Sequence, residues 1–114
     1  MNLTRYTDAP QYDPRTRPGV PSRRVQGREA GGPQELLVSI SEYPPGTGGS
    51  SVTAPTEVVY LVMEGTLRIE HDNGHDDLST GDSIAFQPGE HRSAHNVGTE
   101  MARLVVIHRP GYDG

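Results

Sequence analysis

EVVYLVMEGTLRIE (residues 57–70) contains two short segments that favour β-strands, separated by Glu64-Gly65. The first segment, residues 58–63, is an apolar run rich in β-branched residues and too short for a typical helix. The second segment alternates, with Leu67 and Ile69 on one face, as a half-buried strand does. The stretch therefore predicts consecutive strands of a β protein.

The sequence on both sides of this stretch carries further strand and turn signals. Upstream, QELLVSISEY alternates as a strand, with Leu37 and Ser39 on one face. Downstream, Asp72-Asn73-Gly74 predicts a hairpin turn, because Asn-Gly tolerates the positive φ that such turns need. Four more strands are predicted at DDLS, SIAFQ, RSAHN and ARLVVIH. Short strands with frequent turns and no helical period predict an all-β, antiparallel barrel or sandwich, whose interior is filled by side chains or holds one small ligand.

Composition limits the cell location and the partners that we expect. The chain has 114 residues, enough for one core, and hydrophobic residues make up 32% of it. It has no cysteine, no apolar run long enough for a membrane helix, and no apolar stretch after its N-terminal charges. We therefore expect a cytoplasmic protein with no membrane partner and no disulfides. An acidic body without an aromatic-interleaved basic patch argues against nucleic acid.

Charge and proline content divide the chain into two parts. Residues 1–33 carry six arginines, three acidic residues and half of the ten prolines, whereas the remainder carries four arginines and twelve acidic residues. The first part has no helical or strand periodicity, which predicts an extended arm with at most one short strand. Residues 34–114 are predicted to form the barrel. The basic arm either packs on its own acidic body or on a partner subunit, or it is a solvated tail.

GDSIAFQPGEHRSAHN (residues 81–96) contains two histidines four residues apart, as in the helical HExxH zinc motif. The position of the motif's glutamate holds Arg92, and the flanking residues have strand rather than helix periodicity. On a regular strand His91 and His95 would lie about 13 Å apart, at about 3.3 Å per residue. One ion with bonds of about 2 Å cannot reach both side chains. The spacing therefore does not predict a shared metal.

The two quoted stretches resemble the two signature motifs of the cupin superfamily of small jelly-roll barrels. The family motifs are approximately G-x5-H-x-H-x3,4-E-x6-G and G-x5-P-x-G-x2-H-x3-N. The resemblance covers residues 34–110 and is specific at Glu64-Gly65, Gly81-Asp82, Gly89 and Asn96. It implies an antiparallel jelly-roll barrel and a homodimer. Because a strand at the barrel edge has unpaired backbone groups, we expect the N-terminal arm to contribute to the dimer by adding a strand to the neighbour's sheet.

The metal ligands of the family are not retained in the matching positions. Where the family has two histidines and a glutamate, this chain has Val52, Ala54 and Val58. A register shifted by one residue gives Ser51, Thr53 and Glu57. The histidine of the second motif is replaced by Arg92, which cannot lose its proton to bind a cation. We therefore expect no metal cofactor, and the alternative is a rearranged ligand set of Glu57, His91 and His95.

An inward-facing Arg92 would place a permanent cation in the barrel, where it could bind a carboxylate, phosphate or enolate; otherwise it pairs with an acidic side chain. Four residues are the candidate catalytic group: Arg92, His95, His108 and Tyr60. Four residues are the candidate substrate-binding group: Arg92, Tyr60, Val58 and Phe86. The alternatives are a packed aromatic for Tyr60, core packing for His108 and a surface histidine for His95.

Three functions remain open from the sequence. The first is a metal-independent isomerase, cyclase or lyase acting on an anionic or carbonyl-containing metabolite, in which Arg92 binds the charge and a histidine or Tyr60 moves a proton. The second is a metal-dependent cupin enzyme of the dioxygenase type. The third is a metabolite-binding module without catalysis. The fold alone does not choose among them.

Overall fold

The computed structural model describes residues 1–111, so the last three residues of the predicted barrel domain lie outside the described chain. Nine strands follow one another along it: β1 (Gln11–Tyr12), β2 (Ser22–Gln26), β3 (Leu37–Tyr43), β4 (Val58–Glu64), β5 (Thr66–His71), β6 (Gly74–Ser79), β7 (Ser83–Phe86), β8 (Arg92–His95) and β9 (Ala102–His108). Two single-turn 3₁₀ helices, Tyr6–Asp8 and Arg28–Ala30, are the helical elements of this part of the chain.

The strands form two antiparallel sheets, as the all-β jelly-roll prediction required. The larger sheet has six strands in the order β1-β2-β3-β9-β4-β7, and the smaller has three in the order β6-β5-β8. Side chains of both sheets share one buried core, in which Val62 and Leu104 of the large sheet pack with Leu67, Ile69 and Ala94 of the small sheet. The two sheets therefore face each other across a common interior.

The motif residues Gly65 and Asn96 are structural. Gly65 has φ +76°, and a Cβ atom there would lie 2.6 Å from the carbonyl oxygen of Met101. Glycine therefore meets both a conformational and a steric requirement where β4 turns into β5. The buried Asn96 side chain donates through Nδ2 to the carbonyls of Tyr43 and Glu100, at 2.7 Å each. Its Oδ1 accepts a bond from the backbone N–H of Gly98, so it joins β3 to the turn after β8.

The predicted arm forms two strands, β1 and β2, where the sequence predicted at most one. β2 pairs antiparallel with β3 of the same chain, and β1 pairs with β2. The arm therefore extends its own sheet, which is one of the two packing arrangements expected for it; a contribution to a neighbouring subunit stays a prediction. Within residues 1–111, no helix is long and apolar enough to span a membrane.

Candidate functional site

The inner face of the large sheet presents two rows of side chains near one end of the interior. In the first row, Val58 of β4 lies between His108 of β9 and Phe86 of β7. The second row, one pleat further along, brings together Tyr60, Val106, Ser39 and Arg24 from four neighbouring strands. Of these side chains, Val58, Phe86, His108 and Tyr60 are predicted site residues, and they lie together because strand pairing fixes their register.

Arg92 enters this interior from β8 of the small sheet and is 2% exposed. Its Nε donates a hydrogen bond of 3.1 Å to the Tyr60 hydroxyl. The guanidinium carbon lies 5.6 Å from the Tyr60 ring centroid and 5.8 Å from that of Phe86. The two rings meet edge to face, with centroids 5.5 Å apart. Arg92 therefore points inward, as counting along the motif predicted, and two aromatic rings hold its cation.

A second arginine, Arg24 of β2, lies on the same inner face and was missed by the sequence analysis. Its Nη1 donates to Ser39 Oγ at 2.8 Å, and its guanidinium carbon lies 4.7 Å from the centroid of the Tyr12 ring. The Tyr12 hydroxyl donates to the same Ser39 Oγ at 2.9 Å. The serine therefore accepts from both neighbours, and Arg24 is held by a stacked ring and a hydroxyl in a fixed orientation.

A third buried arginine, Arg17, comes from the loop between β1 and β2. Its side chain passes Gly49, where a Cβ atom would lie only 2.8 Å from Arg17 Cγ. Glycine therefore gives this arginine room beside the segment that follows β3. Within residues 1–111, the buried charged side chains are those of Arg17, Arg24 and Arg92. Since burying a cation is costly, each of these arginines needs compensating contacts with other groups of the protein.

His108 is buried at the end of β9, with 2% of its surface exposed. Its Nδ1 lies 2.7 Å from the carbonyl oxygen of Arg109. Because a carbonyl can only accept, Nδ1 carries the proton, and in the neutral ring Nε2 carries a lone pair. Burial lowers the pKa of His108 below its ordinary value of 6.5, and the charges of Arg24, Arg92 and Arg17 lower it further. The Arg109 bond opposes this shift. His108 is therefore a neutral base of defined tautomer at pH 7.

His95 lies on the opposite face of the small sheet from Arg92, which corrects its prediction as a base in the pocket. Side chains alternate along β8, so the inward direction of Arg92 turns His95 outward. Its Nε2 lies 3.0 Å from Ser93 Oγ and 3.7 Å from a carboxylate oxygen of Glu70. The ring packs on Gly48, where a Cβ atom would lie 2.2 Å from His95 Nδ1. Its contacts are those of an outer-face histidine.

The residues present do not fit the metal site of the family. Val52 pairs with Arg92 in an isolated bridge, and Ala54 and Val58 are buried apolar residues, so the motif positions carry no ligands. Across residues 1–111, no three His, Asp or Glu side chains are grouped so that they could hold a metal ion. The alternative set is also dispersed. Glu57 is exposed, and the His91 side chain, 61% exposed, lies 3.7 Å from Asp72.

The polar interior has a sequence signal in β3, whereas the inward direction of Arg24 has none. The face of β3 that bears Ser39 and Ser41 is buried, whereas the face that bears Val38 and Ile40 is only half-buried. Hydroxyl side chains on the inner face of a strand indicate a polar interior. Arg24 carried no local signal, since its inward direction depends on pairing with Ser39, fifteen residues away.

Comparison with known proteins gives consistent matches. A family described as the cupin domain matches residues 39–108. The chain is 40% identical over 108 residues to "Beta-D-galactosidase Rv1717" of Mycobacterium tuberculosis (strain ATCC 25618 / H37Rv), covering 93% of this chain and 91% of that protein.

Two solved structures share the fold at low sequence identity. The polyketide cyclase RemF from Streptomyces resistomycificus superposes with a TM-score of 0.84 and 19% identity, covering 97% of this chain and 82% of that one. KdgF from Halomonas sp. superposes with a TM-score of 0.81 and 15% identity, covering 98% of this chain and 97% of that one.

Proposed function

The chain belongs to the cupin domain family, and we propose that it is an enzyme that binds an anionic small molecule inside the barrel and moves a proton on it. The observation that carries this proposal is the buried His108, a neutral base with Nε2 as its acceptor, in the field of three buried arginines. A base of this kind, beside cations that stabilise an oxyanion, suits removal of a proton next to a carboxylate or carbonyl.

The proposed step is formation of an enolate. His108 Nε2 takes the proton from the carbon next to the carboxylate or carbonyl, and the C–H electron pair moves to the oxygen. Arg92 binds the oxyanion that forms. Return of the proton to another carbon isomerises the substrate, loss of a group from the neighbouring carbon gives elimination, and attack of the enolate carbon on a carbonyl gives cyclisation. One set of residues thereby serves an isomerase, a lyase or a cyclase.

Tyr60 is the proposed partner of His108 in proton transfer. Its hydroxyl oxygen accepts the bond from Arg92 Nε, so its own proton is the one that it can donate. Val58 and Phe86 are proposed to line the pocket, because they flank His108 and Tyr60 in the paired strands. We propose that the reaction needs no metal, since the motif positions for metal ligands hold apolar residues and Arg92.

Hydrolysis of a β-galactoside is a second candidate, favoured by the 40% identity to the mycobacterial β-D-galactosidase. Most glycosidases use two carboxyl groups about 5 to 10 Å apart across the bond that is cleaved. The buried residues of the described chain, 1–111, include no aspartate or glutamate. This arrangement favours an acidic sugar as substrate and proton abstraction as the reaction over cleavage of a neutral galactoside.

We also propose that the chain forms a homodimer through the outer face of its large sheet. Two rows of apolar side chains cross this face on three neighbouring strands: Val38, Ile107 and Val59 in one row, and Ile40, Val105 and Leu61 in the other. These side chains are half-buried, and Leu36 and Met63 nearby are 49% and 44% exposed. A contiguous apolar sheet face of this kind is typical of a self-association surface.

Proton abstraction can be tested without knowing the product, by ¹H NMR in D₂O. The wild type is incubated with D-galactose, D-galacturonate, galactarate and a chromogenic β-D-galactoside, with chelator or with added Fe²⁺, Mn²⁺ or Zn²⁺. We expect the C–H signal next to a carboxylate to exchange, with or without metal. The matched variant is His108→Asn, whose amide can still donate to the Arg109 carbonyl but has no basic nitrogen.

The outcomes separate four candidate functions. Loss of exchange in His108→Asn, at an unchanged melting temperature, supports the proposal. Binding of the acids without any exchange would indicate a binding module instead. Strong activation by metal would support a metal-dependent cupin, and hydrolysis of the chromogenic galactoside by His108→Asn at the wild-type rate would support the second candidate.

A further inference from the structure

Arg24 and Arg92 come from different sheets, and Arg24 contacts a solvent-exposed acidic side chain. Arg92 comes from β8 of the small sheet, whereas Arg24 comes from β2, near the edge of the large sheet. Arg24 is 7% exposed, yet its Nε lies 3.5 Å from a carboxylate oxygen of Glu29, whose side chain is 58% exposed. Glu29 therefore touches both solvent and the buried arginine.

The contact between Arg24 and Glu29 is loose. A charge-assisted N–H···O bond is ordinarily about 2.7 to 2.9 Å long, which is well below the observed 3.5 Å. The buried Nε of Arg24 makes no hydrogen bond. Glu29 lies in the 3₁₀ turn Arg28–Ala30, between Gly27 with φ +141° and Gly31 with φ +79°. A solvated carboxylate on a glycine-flanked turn holds an ion pair weakly, because water competes for it.

The rest of the Arg24 side chain is fixed. Ser39 Oγ accepts from Nη1, Tyr12 stacks on the guanidinium, and β2 holds the backbone. The Arg24 guanidinium is therefore held firmly by Ser39 and Tyr12 but only weakly by Glu29. A guanidinium in this state is suited to bind a carboxylate or phosphate oxygen of a ligand in place of Glu29. The charge of Arg24 also acts on His108, so such a ligand group would lie near the proposed base.

We propose that Arg24 forms a second anion subsite, so that the substrate carries two anionic groups, one for Arg92 and one for Arg24, and that Glu29 occupies the Arg24 subsite until the substrate displaces it. This inference rests on the proposed function, and it narrows the substrate class to dicarboxylates and phosphorylated acids. The two subsites are on different sheets, so a ligand that reaches both spans the interior. Glu29 acts as an internal competitor.

Binding of a series on one carbon skeleton tests the second subsite. The probes are D-galactose, D-galacturonate, galactarate, and galacturonate 1-phosphate, which carry no anionic group, one carboxylate, two carboxylates, and a carboxylate with a phosphate. Affinity is measured by calorimetry for wild type, Arg24→Gln and Glu29→Gln. The matched controls are Arg109→Gln and Glu35→Gln, because Arg109 and Glu35 form an exposed ion pair that is 3.4 Å long.

For the two doubly charged probes, we expect Arg24→Gln to weaken binding about tenfold or more, the loss of one charge-assisted bond pair. For galacturonate we expect less than about a threefold change, which is within the effect of a screened surface charge. Glu29→Gln is expected to bind the doubly charged probes more tightly than the wild type does, with galacturonate nearly unchanged. Preference for galactarate or for the phosphate identifies the second anionic group.

Several outcomes would overturn the inference. If Glu29→Gln changes the affinity for the doubly charged probes no more than Glu35→Gln does, Glu29 does not compete with the substrate. If Arg24→Gln weakens singly and doubly charged probes equally, Arg24 acts by its general field and is not a separate subsite. If Arg24→Gln lowers the melting temperature strongly, the affinities of Glu29→Gln still test the inference, because substitution of the exposed Glu29 is not expected to disturb the fold. A last outcome separates the two proposals. If Arg92→Gln loses galacturonate binding while Arg24→Gln and Glu29→Gln bind the doubly charged probes as the wild type does, this inference is overturned and the proposed function stands.

Discussion

The pH dependence of stability provides a direct test of the buried histidine. His108 has a pKa below its ordinary value of 6.5, because burial and three neighbouring guanidiniums disfavour its charged form. In the unfolded chain, the same imidazole titrates near 6.5. Between the lowered pKa and 6.5, the unfolded state therefore binds more protons than the folded state does. Stability must fall as the pH falls through this window.

The magnitude follows from linkage. One proton that binds only to the unfolded state changes the free energy of unfolding by about 1.4 kcal/mol per pH unit. For a domain of this size, 1 kcal/mol corresponds to about 4 °C in melting temperature. Above pH 6.5 the contribution of His108 is constant, and below the lowered pKa it is constant again. The slope is therefore confined to the pH range between the lowered pKa of His108 and 6.5.

The assay is urea unfolding of wild type and His108→Asn at half-unit steps from pH 7.5 to pH 5. Subtracting the two curves removes the contributions of the other four histidines and of the carboxylates, which both proteins share. We expect the wild type to lose stability relative to the variant as the pH falls below 6.5. Parallel curves would refute the argument, because they would show that His108 titrates alike in the folded and unfolded states.

Four further predictions concern single positions. Gly65→Ala should lower the free energy of unfolding by more than Gly46→Ala does, because both glycines have positive φ but only Gly65 is crowded by a backbone carbonyl. The backbone strain alone costs about 1 kcal/mol at either position. Equal losses of stability in urea unfolding would contradict this prediction. Asn96→Ala should cost about 3 kcal/mol, since it leaves two carbonyls and one N–H without their bonds, and a loss below 1 kcal/mol would contradict it. Tyr60→Phe should reduce the rate of C–H exchange by about 100-fold, and it should lower the melting temperature as well, because the buried Arg92 Nε loses its acceptor; an unchanged exchange rate would remove Tyr60 from proton transfer. If the proposed homodimer forms, Ile107→Lys should convert it to a monomer in light scattering, and a wild-type monomer would refute the proposed interface.

The elements that the sequence predicted well are those with local causes. Gly65 is predictable because one residue must combine a positive φ with a tight approach to a neighbouring strand. Asn96 is predictable from the motif, and its three hydrogen bonds explain why an amide is needed there. The inward direction of Arg92 was predicted from its place in the motif, and the alternation of side chains along β8 then turns His95 outward.

The N-terminal segment could not be predicted in the same way. Arg17 and Arg24 lie in a stretch rich in proline and arginine, a composition that by itself indicates a solvated tail. The burial of Arg24 depends on the pairing of β2 with β3, a contact between distant residues that has no signature within either segment, and Arg17 lies in the loop between β1 and β2. The sequence predicted Ser39 as a polar residue on a strand, but it did not predict that Arg24 of β2 pairs with it.

The replacement of a metal ligand by Arg92 preserves one property of the family site and changes another. A cation still stands at the inward position of β8, held over the rings of Tyr60 and Phe86. A guanidinium can stabilise an enolate, as a metal ion does, but it offers no open coordination position and does not generate hydroxide from bound water. In the proposed reaction the proton must therefore be moved by a side chain, and His108 has the tautomer and the neutral state for that role. If Arg92 has taken over charge stabilisation, then His108→Asn should abolish exchange while binding persists, and Arg92→Gln should weaken binding as well as exchange.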